Sequence, residues 1–216
     1  MDWEAKLQWA VSEHEARAAR GPAPDERADL HATAVASAAW AAGLSALMLG
    51  RAVDARSWLE LAADEYRASW DLAPPGSWGR PIAALRCRLL AGDEEGGRRD
   101  AAWALAAGAI AASGPIQRYC ATLAYLALRD DEAAAEEAAR LQAEGLEPTA
   151  VADALAALAC GDREAYEVAL RGVLESFEER GAFLEDVRVA DTVLVLQELA
   201  RRRDLAVTLY SSLLPV

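Results

Sequence analysis

Apolar residues recur at helical spacing along this chain, and the polar punctuation between them has a repeated form. Four stretches carry it: "LMLGRAVDARSWL" from residue 47, "LLAGDEEGGRRDA" from 89, "LALRDDEAAAEEA" from 126 and "LACGDREAYEVAL" from 158. In each, an apolar helix ends, the chain turns at Gly or Arg-Asp, and an acidic, alanine-rich helix begins. Aligned on Gly50, Gly92, Arg129 and Gly161, the turns stand 42, 37 and 32 residues apart. That is helix-turn-helix repetition of irregular period. Each hairpin has more apolar surface than it can bury alone, so its neighbours must cover it. The pattern predicts an all-α fold, an irregular right-handed array of about nine or ten helices in stacked hairpins, an α-solenoid.

Longer breaks separate the hairpins. "RGPAPDER" (20–27) ends a first helix over 3–19 and offers Asp25 as N-cap of the second. "LAPPGSWGRP" (72–81) is the strongest interruption, because paired prolines and glycines cannot continue a helix. "ASGP" (112–115) and "EGLEP" (144–148) place Gly after one helix and Pro near the start of the next. "ERGAFLED" (179–186) is the last break, and Asp186 stands where an N-cap of the final helix is expected, with Arg188 in its first turn. No segment reads as a strand. The tail "LAVTLYSSLLPV" (205–216) is expected to run extended along a groove between earlier helices, within a single domain over 1–216.

One segment bears on membranes. "ATAVASAAWAAGLSALMLG" (32–50) lacks charge and is long enough to span a bilayer. It is mostly Ala, Ser and Gly, which drive insertion weakly, so a buried central helix packed closely through small residues is expected, and no membrane contact.

Composition reinforces the helical reading. Of 216 residues, 54% are hydrophobic and 26% charged, enough for one sizeable core or a short repeat array. Ala, Leu, Glu and Arg dominate, and these are strong helix formers. Lys6 is the only lysine. The net charge of -13 argues against nucleic acid, which needs a basic patch. The nearest approach to one, Arg201, Arg202 and Arg203, falls at a helix end, where cations complement the dipole. Cys87, Cys120 and Cys160 form an odd, scattered set without a C-x-x-C and are expected to be buried thiols. The N-terminus "MDWEAKLQWAV" is charged and amphipathic, unlike a signal peptide, so a cytoplasmic location is expected.

Catalytic chemistry is thin. His14 and His31 are the only histidines, and "HEARA" at 14 lacks the second His of a zinc-protease helix. His14 shares a face with Trp3, Leu7 and Val11, which predicts a packed residue. "DDEAA" at 130 lacks the third carboxylate of a magnesium motif and fits a capped helix start. There is no P-loop, G-x-G-x-x-G or G-x-S-x-G, and no cofactor or metal is expected.

Two tryptophans and two charged residues are the candidate partner-binding positions. Trp9 lies about 120° from the stripe of Trp3, Leu7 and Val11 at 100° per residue. Trp78 sits in the Pro-Gly break. Exposed Trp favours an interface, and cover by neighbouring helices is the alternative. Asp191 falls inside an apolar run from Val189 to Leu199. A carboxylate there needs partners. Pairing with an arginine, Arg188 or one from another helix, would fix the last helix, whereas a pocket wall would hold a ligand.

"LGRAVDARSWLELAADEY" (49–66) resembles the helical hairpin of tetratricopeptide-like proteins. "FLEDVRVADTVLVLQELARRRDLAVTLYSSLLP" (183–215) resembles the ending of a bacterial immunity-protein family of polymorphic toxin systems, the forty-ninth in the usual series. In such endings an acidic residue starts an apolar helix, an Ala-Arg helix end follows, and a Ser-Leu-Pro tail closes the chain. The likeness covers residues 40–215; Arg202, Arg203 and Asp204 stand where a glycine is expected. It implies a helical protein that binds and neutralises a toxin, and carries over no functional residues. The expected function is a cytosolic protein-binding module, an immunity-type inhibitor in particular. An adaptor that self-associates through its N-terminal helices comes second, and an enzyme third.

Overall fold

Four turns set the frame of the fold. In the computed structural model, which describes residues 2–111 and 114–215, Gly50, Gly92, Arg129 and Gly161 all adopt left-handed backbone, with φ of 69°, 67°, 63° and 68°. At each, the following N–H donates to a carbonyl five residues back: Arg51 to Ala46, Asp93 to Arg88, Asp130 to Tyr125 and Asp162 to Ala157, at 2.9–3.0 Å. This is the Schellman helix end, which satisfies carbonyls a helix terminus otherwise leaves open. The next helix then starts on an acidic cap twice over. Asp130 accepts from the Ala133 N–H and Asp162 from the Ala165 N–H.

Between such turns lie ten α-helices and no strand among the described residues: α1 Trp3–Arg20, α2 Ala28–Met48, α3 Ala52–Trp70, α4 Gly79–Ala91, α5 Glu94–Ala106, α6 Pro115–Leu128, α7 Asp131–Glu144, α8 Thr149–Cys160, α9 Arg163–Glu178 and α10 Asp191–Arg201. Packing is mostly between consecutive helices, as a hairpin array requires. Of the break at 112–115, Ala112 and Ser113 lie outside the described residues; α6 begins at Pro115 after Gly114.

The contacts divide the chain into two compact units. The first comprises Met1–Asp93, Gly181–Val189 and Leu214–Val216; the second comprises Glu94–Arg180 and Ala190–Leu213. In the first, α1 packs on α2, α2 on α3 and α3 on α4. Helix α2 is its centre. It is long and apolar enough to cross a membrane, yet 67% of its most apolar window is buried in the fold. Small residues permit the closeness: a Cβ placed on Gly43 would stand 2.6 Å from Leu59 Cγ of α3. In the second unit α5 to α9 pack in succession, and α10 rests on α8 and α9.

Two expected helix starts move. Helix α2 begins after Arg27, not at Asp25. Residues 24–26 turn before the helix opens, with Glu26 accepting from the Ala23 N–H at 3.0 Å, and no side chain caps α2. Asp186 likewise caps nothing in α10. It closes a 3-10 turn, Leu184–Asp186, in which Glu185 and Asp186 have φ of 51° and 52°. The chain then runs extended with Val187 and Val189 buried, and helix α10 opens at Asp191. Arg188 therefore precedes the helix.

The residues after α10 are held by side chains of the second unit. Arg163 donates to the carbonyls of Asp204 and Ala206, at 3.4 and 3.0 Å. Gln197 brackets the Val207 backbone, and Ala190 N–H donates to Leu213 O at 2.9 Å.

Candidate functional site

The first helix carries the most distinctive surface. Its buried side is Leu7 and Ala10, with the Asp2 carboxylate accepting from Ala5 N–H at its start. Its outer side is Ala5, Gln8, Trp9, Ser12, Ala16 and Ala19, all exposed. Trp9 is 38% exposed, and the Lys6 ammonium sits 3.6 Å from the centroid of its ring. A cation over an indole face is attracted by the ring and helps to fix its orientation. Burial lowers the affinity of Lys6 for its proton, and the negative charges of Asp186 and Glu185 oppose that.

Those two acidic residues belong to the strap 181–189, which leaves the helices of the second unit to complete the first. Glu185 accepts from Arg17 of α1 at 2.8 and 3.1 Å, while Arg17 also donates to the Ala34 carbonyl of α2 at 2.9 Å. The hydrogen bond to Glu185 raises the guanidinium above its ordinary range. Arg188, exposed on the strap, stacks near Phe183 at 5.7 Å.

Trp78 is half-buried, its ring 5.1 Å from that of Trp70 and tilted by 49°. Thus Trp9, Trp78 and Arg188 belong to the first unit and Asp191 to the second. Asp191 is 7% exposed, and its Oδ1 accepts from the Thr192 N–H at 2.8 Å. It is the first residue of α10, where a carboxylate also favours the positive helix end.

His14 is a packed residue. Its ring meets Trp58 edge-on at 5.3 Å, and its Nε2 lies 2.8 Å from Glu65 Oε1. No group of three or more His, Cys, Asp or Glu positioned to hold a metal occurs among the described residues. Cys87 and Cys120 are buried as expected, and burial pushes the Cys120 thiol up to about 12. Cys160 departs from expectation and is exposed. It is the last residue of α8, beside the left-handed Gly161, where the helix has already turned outward. Sequence reasoning passed over Arg17 and Glu185, because nothing local relates two residues so far apart in the chain.

The described residues define a class, an all-helical protein of sequential hairpins. No family model, curated protein or solved structure matches the chain.

Proposed function

We propose that this protein is a protein-binding module that works through the outer face of α1. The observation that carries the reading is Trp9, large, apolar, exposed and contacted by Lys6 on a face whose other members, Gln8 apart, are the small side chains Ala5, Ser12, Ala16 and Ala19. Tryptophan is the residue most enriched among binding hot spots, and small neighbours let a partner approach closely. The acidic charge of the chain disfavours nucleic acid as that partner. The particular form implied by the likeness over residues 40–215 is an immunity-type inhibitor of a toxin, acting in the cytoplasm, with a tetratricopeptide-like hairpin at 49–66.

Self-association through the same face is the second reading, and one experiment separates the two. Wild-type protein and Trp9→Ala are compared by circular dichroism, by sedimentation alone, and by capture of a toxin encoded beside the gene. The binding reading expects an unchanged fold, a monomer in both proteins, and capture lost in Trp9→Ala. A wild-type dimer that Trp9→Ala converts to monomer moves the function to self-association. Equal capture and equal sedimentation in both proteins overturn the role of this face.

A further inference from the structure

The second unit has a groove of its own. Along the seam of the antiparallel pair α8 and α9, a hollow of about 420 Å³ is lined by Asp153, Asp162, Glu164, Ala165, Val168 and Ala169. Its floor is aliphatic, and Val168 is 69% exposed there, on a helix whose other large apolar residues are buried. Its rim is three carboxylates. Asp153 accepts from Gln142 at 2.7 Å and Asp162 from the Ala165 N–H at 3.0 Å, and none of the three forms an ion pair among the described residues.

The two arginines of α9 are engaged elsewhere. Arg163 is turned onto the carbonyls of Asp204 and Ala206, and Arg171 is paired with Glu167 at 2.7 Å. The rim charge therefore stays uncompensated, within a unit that has 20 acidic against 11 basic side chains. Such a groove matches one kind of side chain. A lysine or arginine can lay its aliphatic stem over Ala165 and Val168 and bring its charged head among the carboxylates.

We propose that the α8–α9 groove is a docking surface for a basic, aliphatic polypeptide segment of a partner protein. The proposal rests on the reading of this chain as a binding module but uses a surface separate from Trp9. Steering by the negative field speeds the encounter, and the aliphatic floor supplies the contact that survives salt.

The test uses the full chain and a short amphipathic leucine–lysine peptide, with a leucine–glutamate peptide of the same pattern as control. Amide NMR is expected to show shifts gathered on residues 153 and 162–169 with the lysine peptide alone. Val168→Ser and the double variant Asp153→Asn, Glu164→Gln are each expected to weaken binding by about tenfold. Both change exposed positions that cap no helix, and circular dichroism verifies the fold. Trp9→Ala should bind the peptide as well as wild type does, so failure of the groove and failure of the α1 face are read apart. Shifts spread over other helices of the unit, equal binding of the glutamate peptide, unchanged affinity in both groove variants, or no binding at all would each overturn the proposal.

Discussion

Arg17 and Glu185, 168 residues apart in the chain, meet in a two-pronged ion pair. Both are largely buried, and Arg17 ties the same head group to the α2 backbone at Ala34. The pair offsets a local cost, because Glu185 and Asp186 hold left-handed backbone at about 1 kcal/mol each. Double-mutant analysis of Arg17→Ala and Glu185→Ala should give a coupling of about 1–2 kcal/mol. Hydrogen exchange at Val187 and Val189 should rise in either single variant. Additive effects with no change in exchange would mean that the apolar valines alone hold the strap.

The four matching turns make one of them improvable. Arg129 occupies a conformation the other three give to glycine, and among the described residues no side-chain hydrogen bond or ion pair holds it there. Arg129→Gly should stabilise the protein by about 1 kcal/mol, read as a higher denaturation midpoint at unchanged slope. Gly92→Arg should lose a similar amount.

Much of this frame was legible in the sequence, and the reason is local. A left-handed helix end needs Gly or a tolerant substitute, and an acidic residue after it caps the next helix, so the turns at Gly50, Gly92, Arg129 and Gly161 and the cap at Asp130 announce themselves. The start of α10 does not. Asp186 and Asp191 both suit a cap, and Val187 and Val189 read equally as a helix face or as a buried extended run. The observed turn carries Glu185 to a partner in another helix, Arg17, which no local pattern announces. Asp25 caps nothing either, because α2 opens two residues later, after Arg27, and without a side-chain cap. Of the candidate site, the exposure of Trp9 followed from its angle off the apolar stripe, whereas the α8–α9 groove depends on where Arg163 turns, and no periodicity encodes that.

Gly43 should tolerate almost nothing. Gly43→Ala gains helix propensity of about 1 kcal/mol, yet its Cβ meets the Leu59 side chain of α3, so a net loss of about 2 kcal/mol is expected by chemical denaturation. In a Leu59→Ala background the same change should cost little. Full cost in both backgrounds would place the constraint on the α3 backbone, whose Leu59 N lies 3.3 Å from the same Cβ, rather than on the Leu59 side chain.

Acid should weaken the start of α2. Burial alone would push the Asp29 carboxyl up, but hydrogen bonds and charge from Arg27 and Arg80 hold it below the ordinary carboxylate range. A depressed value in the folded state means the group binds protons less readily than in the unfolded chain. Its contribution is therefore complete above about pH 4 and lost as pH falls further toward the folded value. Asp29→Asn should be less stable at neutral pH and flatter on the acid limb. Parallel acid limbs for the two proteins would exclude Asp29 from that transition.

The three cysteines should separate cleanly. Cys160 should react with a thiol reagent in the native protein, while Cys87 and Cys120 react only after denaturation. Cys160→Ser should abolish the native reaction. Modification of Cys120 at neutral pH without unfolding would contradict its burial.

The strap 181–189 also governs how the gene can be cut. Helices α1 to α4 end before residue 94, but the rest of their unit is encoded between α9 and α10 and from Leu214 onward. A stop codon after Asp93 would keep every one of those four helices and discard Val187 and Val189, which are buried in the intact chain. Neither unit is thus available as one uninterrupted reading frame, and libraries of simple truncations would yield incomplete halves. The second unit is the easier to free, by splicing Arg180 to Ala190 through a short linker and leaving the strap behind.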